Sequence, residues 1–170
     1  MKWIAISGSW RLSSAELDAK LSLTIDGIVK NGDGIVSGGA LGVDYKATAK
    51  MMAIDDWKTR IKVVIPTSLK IYKKHYFKRA DEGVITKLQA TELIDQLSIL
   101  QTAGCLTEMG YACVDKETYY ARNEKVVELA DELWAFQINN SQGVQDTIGH
   151  AEKKNIKIRV WKFKVEEKTE

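Results

Sequence analysis

The sequence predicts an α/β domain with a mainly parallel sheet covered by helices on both faces, and three observations carry that prediction. Short β-branched runs alternate with longer segments of helical periodicity along the whole chain, the pattern of strands joined by helical crossovers. Glycine-rich or polar turns join strand to helix at three places, around Gly8, Gly38 and Asn139. The length, 170 residues, suits one domain, because a domain of about 150 residues buries roughly 70% of its unfolded surface.

Residues 2–7 read as a buried strand. Ser13-Ser14-Ala15-Glu16 offers a capping-box start to a helix with Leu17, Leu21, Ile25 and Ile28 on one face, and Asn31-Gly32 stops it. Residues 34–37 form the next strand, and a helix is expected from about Val43 to Trp57 with Ala47, Met51 and Ile54 aligned. A third strand over residues 62–65 ends at Pro66, the one proline of the chain. A long helix then turns Ala90, Leu93, Ile94, Leu97 and Leu100 inward. Beyond Gly104 come a helix near residues 119–130, a strand over 132–138, a helix aligning Val144, Ile148 and Ala151, and a last strand over 156–161. Residues 1–165 read as one domain without repeat or linker, and residues 166–170 as a frayed, disordered tail.

Composition narrows the function classes. Apolar residues make up 45% and charged residues 28%, both near globular averages. A net charge of +2 is too small for strong non-specific nucleic-acid binding, though it leaves room for a local basic patch. Cys105 and Cys113 form neither a metal-like cluster nor a disulfide framework, and read as free thiols of a reducing cytoplasm. The opening reaches Ser7-Gly8-Ser9 too soon for a signal peptide. No uncharged apolar run approaches the roughly 20 residues of a membrane span. A cytoplasmic protein with no membrane partner is expected. His75 and His150 stand alone, so neither a metal nor a cofactor is expected.

Ile35-Val36-Ser37-Gly38-Gly39-Ala40-Leu41-Gly42-Val43-Asp44 runs from a strand through a glycine-rich turn into a helix. Glycines let backbone approach a ligand, and a helix N-terminus supplies unpaired N–H groups, so such a junction holds phosphate without any basic side chain. Gly39 is the position expected to allow that approach. Only Gly39 and Gly42 keep an interval of the dinucleotide fingerprint, and no acidic residue follows the next strand to hold a ribose, which argues against a nicotinamide dehydrogenase. Asp44 falls in the first helical turn, either as a cap or as an acceptor for a ligand hydroxyl or base.

Two further junctions share this character. In Ser7-Gly8-Ser9-Trp10-Arg11, Gly8 permits a tight turn, and Ser9 and Arg11 either serve a phosphate or form an ordinary surface loop. Ser141, Gln142, Gly143 and Val144 open another helix with N–H groups free for a ligand, and Thr147 follows one turn later. Arg122-Asn123 is expected at a helix start, where a cation opposes the dipole and is best explained by an anion in front of it. Residues 70–79 interleave cations with aromatics, which suits single-stranded nucleic acid, and equally an amphipathic surface segment with tyrosines inward and lysines solvated. Trp57 and Trp161 near element ends are candidate contacts of a homo-oligomer.

Together these regions resemble the SLOG superfamily of Rossmann-like nucleotide-binding proteins, which includes the DNA-processing protein A family and the LONELY GUY phosphoribohydrolases. The resemblance spans about residues 2–161. Ser37-Gly38-Gly39-Ala40-Leu41-Gly42-Val43-Asp44 looks like S-G-x-A-x-G-[IV]-D, and the run from Arg122-Asn123 to Asp131 is similar to R-N-x-x-[IV]-[IV]-x-x-x-[SA]-D. It implies a single Rossmann-like three-layer domain. It also implies a nucleotide or nucleotide-derived ligand cradled by residues 8–11, 38–44 and 141–144 with Arg122 nearby, as in a sensor or carrier. Two alternatives accompany it: an N-glycosidic hydrolase of nucleoside monophosphates, and a single-stranded DNA-binding protein of the DNA-processing type. The hydrolases carry P-G-G-x-G-T-x-x-E, and alignment on Gly143 puts Val144 at the threonine and Thr147 at the glutamate. Glycosidic cleavage needs carboxylate help, which a threonine does not supply. Whether the chain is an enzyme therefore stays open, with Glu108 the one other carboxylate considered.

Overall fold

A computed structural model describes residues 1–167; residues 168–170, the end of the expected tail, lie outside the described residues. Six strands, β1 (Trp3–Gly8), β2 (Gly34–Ser37), β3 (Ile61–Thr67), β4 (Leu106–Tyr111), β5 (Glu132–Ile138) and β6 (Lys157–Phe163), form one sheet. Their order is β4-β3-β2-β1-β5-β6 and every pairing is parallel. The chain builds outward from β1 to the β4 edge, then crosses back to lay β5 on the free side of β1. Such a reversal leaves a crevice at the carboxyl ends of the two strands that flank it.

Strand alternation divides the core in two. Ile4, Ile6, Ile35, Val63, Ile65 and Phe136 face one side, where they pack with Leu17, Leu21, Ile25, Ile28, Met51 and Leu97. Those partners belong to α1 (Ala15–Lys30), α2 (Val43–Met51) and α4 (Lys87–Thr102), and α3 (Leu69–Asp81) adds Tyr72 and Tyr76 to the same cluster. Ala5, Val36, Val64, Leu133 and Ala135 face the other side against α5 (Lys116–Glu128) and α6 (Gln142–Lys154). The result is the expected three-layer α/β domain. Among the described residues no helix is long and apolar enough to cross a membrane.

Several boundaries differ from expectation, each for a local reason. Ser14, not Ser13, caps α1, accepting from the Leu17 N–H at 3.1 Å. α2 ends at Met51 rather than near Trp57, and Trp57–Thr59 form a separate 3-10 turn. The intervening Asp55-Asp56 pair carries negative charge to the negative end of the helix dipole. Pro66 lies inside β3, where the register to β4 shifts between Ile65 and Thr67, so the missing N–H falls at an irregularity of the ladder. β4 has no apolar run to announce it, because it is an edge strand with most of its residues exposed or half-buried. Residues 70–79 lie within α3, where Tyr72 and Tyr76 are buried while Lys70, Lys73 and Lys74 are exposed.

The loop after β1 is locked to the start of α2. Gly42 has φ 74° and ψ −124°, a conformation left to glycine, and a Cβ there would lie 2.3 Å from the Ser9 carbonyl oxygen. That carbonyl accepts from the Val43 N–H at 3.2 Å. Gly42→Ala is expected to lower the urea midpoint far more than Gly83→Ala, whose φ of +76° is equally positive but whose Cβ would meet open space. The dihedral alone costs about 1–2 kcal/mol, and the overpacking adds about as much again. Equal shifts in the two variants would show that the contact with Ser9 is immaterial.

Candidate functional site

A cleft of about 510 Å³ opens where the order of strands reverses. The carboxyl end of β1 contributes Ser7 and Gly8, the turn after β2 contributes Gly38 and Ala40, α5 contributes Arg122 and Asn123, and the start of α6 contributes residues 141–144. The ends of β1 and β2 and two helices of one layer thus converge on one volume.

At its floor, Gly38 is held between two buried charges. Its N–H donates to Asp44 Oδ2 at 3.2 Å, and the Ala40 N–H donates to the same oxygen at 3.3 Å. Its carbonyl accepts from Arg122 Nη1. Asp44 and Arg122 are only 6% and 7% exposed. Arg122 Nε donates to Asn123 Oδ1 at 3.0 Å, and the guanidinium stacks 5.2 Å from the centre of the Tyr119 ring. A Cβ on Gly38 would sit 2.5 Å from Arg122 Nη1, so only glycine lets the guanidinium reach this backbone. Burial pushes the Asp44 carboxyl up to about 6, against the opposing pull of Arg122 and of the Ala40 and Gly38 N–H groups.

One wall is aromatic. The Tyr72 hydroxyl donates to the Gly39 carbonyl at 3.0 Å and lies 3.4 Å from the Tyr76 hydroxyl. Burial raises both phenols above their ordinary range, keeping them neutral. The Tyr119 hydroxyl lies 3.3 Å from His75 Nε2, and burial lowers the His75 imidazole below its ordinary value. The facing wall is the first turn of α6. Ser141 makes no side-chain cap there, and the N–H groups of Gln142, Gly143 and Val144 have no acceptor among the described residues. Asn123 Nδ2 steadies this turn from α5 through Asp146 Oδ2 at 3.1 Å and the Gly143 carbonyl at 3.4 Å.

Of the residues singled out in the sequence, Gly8, Gly38, Ala40, Asp44, Arg122, Asn123, Ser141, Gln142, Gly143, Val144 and Thr147 meet at the cleft. Ser9, Arg11, Ser37, Gly39, Gly42 and Val43 lie outside its wall. Arg11 is exposed; the Ser37 hydroxyl is 3.3 Å from that of Thr48; Val43 packs against Gly8. Gly39, expected to admit a ligand, has φ +63°, and its missing Cβ would meet Ile65 Cγ2 at 2.7 Å, on the core side. The turn of residues 38–44 therefore directs two N–H groups at its own carboxylate rather than outward. Arg122 is not at a helix start, because Asp115 caps α5 through a capping box with Thr118 and the arginine lies nearly two turns in. Its place is explained by the Gly38 carbonyl and the Tyr119 ring instead.

Nothing local in the sequence announces the aromatic wall, because no local pattern brings α3 beside α5; the i, i+4 pair Tyr72 and Tyr76 is the one available signal. Neither position considered for hydrolytic chemistry offers an unengaged carboxylate. Thr147 donates its hydroxyl to the Gly143 carbonyl at 3.0 Å. Glu108 Oε1 accepts from the Leu69 N–H at 2.6 Å, capping α3.

The raised carboxyl predicts a pH signature. A shift of this size corresponds to about 3 kcal/mol. Because the native value lies above the unfolded one, the stabilisation is fully present below about pH 3.8 and is lost as pH rises through about 6. In urea titrations across that window, wild type is expected to gain stability relative to Asp44→Asn as pH falls. A constant difference between the two proteins would show that Asp44 does not titrate late.

No family model matches the sequence, and no curated protein sequence matches it. Several solved structures share its fold, the following two among them. DNA processing protein A from Helicobacter pylori, described for its single-stranded DNA binding mode, superposes with a TM-score of 0.68 at 23% identity, over 94% of this chain and 64% of that one. DNA processing protein A from Streptococcus pneumoniae superposes with a TM-score of 0.51 at 18% identity, over 93% of this chain and 58% of that one. This chain spans less than two thirds of either relative's length. At such identities the likeness speaks for architecture, and the architecture is the Rossmann-like α/β fold of DNA processing protein A.

Proposed function

We propose that the cleft binds the phosphate of a nucleotide or nucleotide-derived ligand, and that holding this ligand, as a sensor or carrier, is the task of the protein. The observation that carries this reading is the open first turn of α6. Three consecutive N–H groups there lack acceptors and border the cleft, and a helix N-terminus in that state favours an anion through both its donors and its dipole. The strand-order reversal supports the same location. Binding without turnover is favoured by the chemistry at position 147, where a buried threonine is back-bonded to its own helix.

Gly143→Asp tests the reading. A Cβ at Gly143 meets nothing within 4 Å, and a carboxylate in the first helical turn favours the helix. The variant is expected to keep or raise its melting temperature while losing at least tenfold in affinity for nucleoside 5′-monophosphates, measured by calorimetry. Unchanged affinity would move the phosphate elsewhere.

A second reading, single-stranded DNA binding, is favoured by the Helicobacter pylori relative and by the exposed Lys70, Lys73, Lys74 and Lys78 of α3. A strand binder loses affinity with salt at a slope of about −0.7 per phosphate contact. On the small-ligand reading, a ~30-nucleotide strand, longer than the usual ~4–16-nucleotide footprint, binds weakly in fluorescence anisotropy, and Lys73→Glu with Lys74→Glu changes nothing. Tight binding that collapses with both salt and the double substitution would make DNA the partner.

A further inference from the structure

The cleft floor contains two unused atoms on two buried side chains. Both loop N–H groups that Asp44 accepts reach Oδ2, and Oδ1 has no hydrogen-bond partner among the described residues. Arg122 spends Nη1 on the Gly38 carbonyl and Nε on Asn123, and Nη2 has none. Neither free atom is sealed from solvent, since among the described residues His150 Nε2 alone is a solvent-excluded side-chain nitrogen or oxygen without a partner. Asp44 and Arg122 both border the cleft. The same residue, Gly38, anchors both side chains, one through its N–H and one through its carbonyl, so the free oxygen and the free nitrogen belong to side chains that meet at one point of the backbone.

An ionised carboxylate oxygen only accepts, and a guanidinium nitrogen only donates. A hydroxyl satisfies both at once, donating its proton to the oxygen and accepting from the nitrogen through a lone pair. Resting on the phosphate reading above, we propose that Asp44 and Arg122 together read a free hydroxyl on the sugar of the bound nucleotide. The ligand class follows. A nucleoside 5′-phosphate with an unsubstituted ribose offers two such hydroxyls. An internal nucleotide of a DNA strand offers none, because it lacks the 2′-hydroxyl and its 3′-oxygen is esterified. The floor of the cleft thus selects a ribonucleotide-type small molecule and rejects the interior of a DNA strand.

Discrimination of this kind is strong, since an analogue lacking the hydroxyl leaves two buried polar groups without a partner. Calorimetric titration of the intact protein with a ribonucleoside 5′-monophosphate and its 2′-deoxy, 3′-deoxy and 2′,3′-dideoxy counterparts reads it directly. The expected result is at least a tenfold loss for the dideoxy compound, with one monodeoxy compound sharing that loss. Asp44→Asn assigns the effect. Its amide oxygen can keep the Gly38 and Ala40 N–H groups while its NH₂ replaces the accepting oxygen, so the series should collapse towards the wild-type dideoxy affinity. Arg122→Lys provides a second assignment should the asparagine variant fold poorly, and should narrow the series by keeping charge but losing the planar fork.

Equal affinity of the wild type for ribo- and dideoxynucleotide would overturn the hydroxyl reading while leaving the phosphate reading intact. Full discrimination in a folded Asp44→Asn variant would also overturn it. Absence of binding by every monophosphate would defeat the phosphate reading first, and this inference with it.

Discussion

The molecule is organised around one backbone residue gripped from two layers. Gly38 stands at the end of β2, with Asp44 reaching back from α2 to its N–H and Arg122 reaching across from α5 to its carbonyl. The two helices pack against opposite faces of the sheet, so this small polar link ties all three layers at the end where the cleft opens. It is also electrostatically tense. The carboxylate is held where burial disfavours its charge, and the guanidinium opposes that effect. The link between the layers and the floor of the cleft share the same atoms here, which is why the S-G-G-A-L-G-V-D run reads both as a fold signature and as a candidate site signature.

Much of the fold was legible, and the reasons are concrete. The strands over Gly34–Ser37 and Glu132–Ile138 stand out because both faces are buried, which writes continuous apolar runs into the sequence. The faces of α1 and α4 follow from helical spacing of Leu17, Leu21, Ile25 and Ile28, and of Leu93, Leu97 and Leu100. β4 was invisible for the complementary reason: it is an edge strand whose neighbours leave it mostly uncovered, so burial imposes no pattern. The early stop of α2 and the strand continuing through Pro66 depend on dipole and register, which periodicity does not record.

The site was legible in part. Strand-to-helix junctions mark the carboxyl end of a parallel sheet, and they located Gly8, Gly38 and Ser141 at one cleft. The direction of each N–H group was not legible. Gly38 and Ala40 look inward to Asp44, whereas Gln142, Gly143 and Val144 look outward. The difference rests on whether a carboxylate a few residues ahead folds back over the turn, as Asp44 does in one junction and no residue does in the other. The aromatic wall of Tyr76, Tyr119 and His75 assembles from two helices distant in sequence, a juxtaposition set by the sheet order alone.

The reversal of strand order also sets when the cleft can exist. β1 finds its neighbour β2 within the first forty residues or so, yet its other neighbour is β5, with Ile4 opposite Glu132 and the Trp3 N–H bonded to Asp131 at a separation of 128 residues. Contacts that close so long a loop form late, after local ones have organised the chain. During synthesis from the N-terminus, the half of the sheet from β1 to β4 can assemble while one side of β1 remains an open edge. The first turn of α6 and its N–H groups arrive only after β5 has docked there. On the proposed reading, ligand binding therefore requires the chain through α6, and a nascent or truncated polypeptide that ends before β5 carries the glycine-rich signature without the cleft it announces.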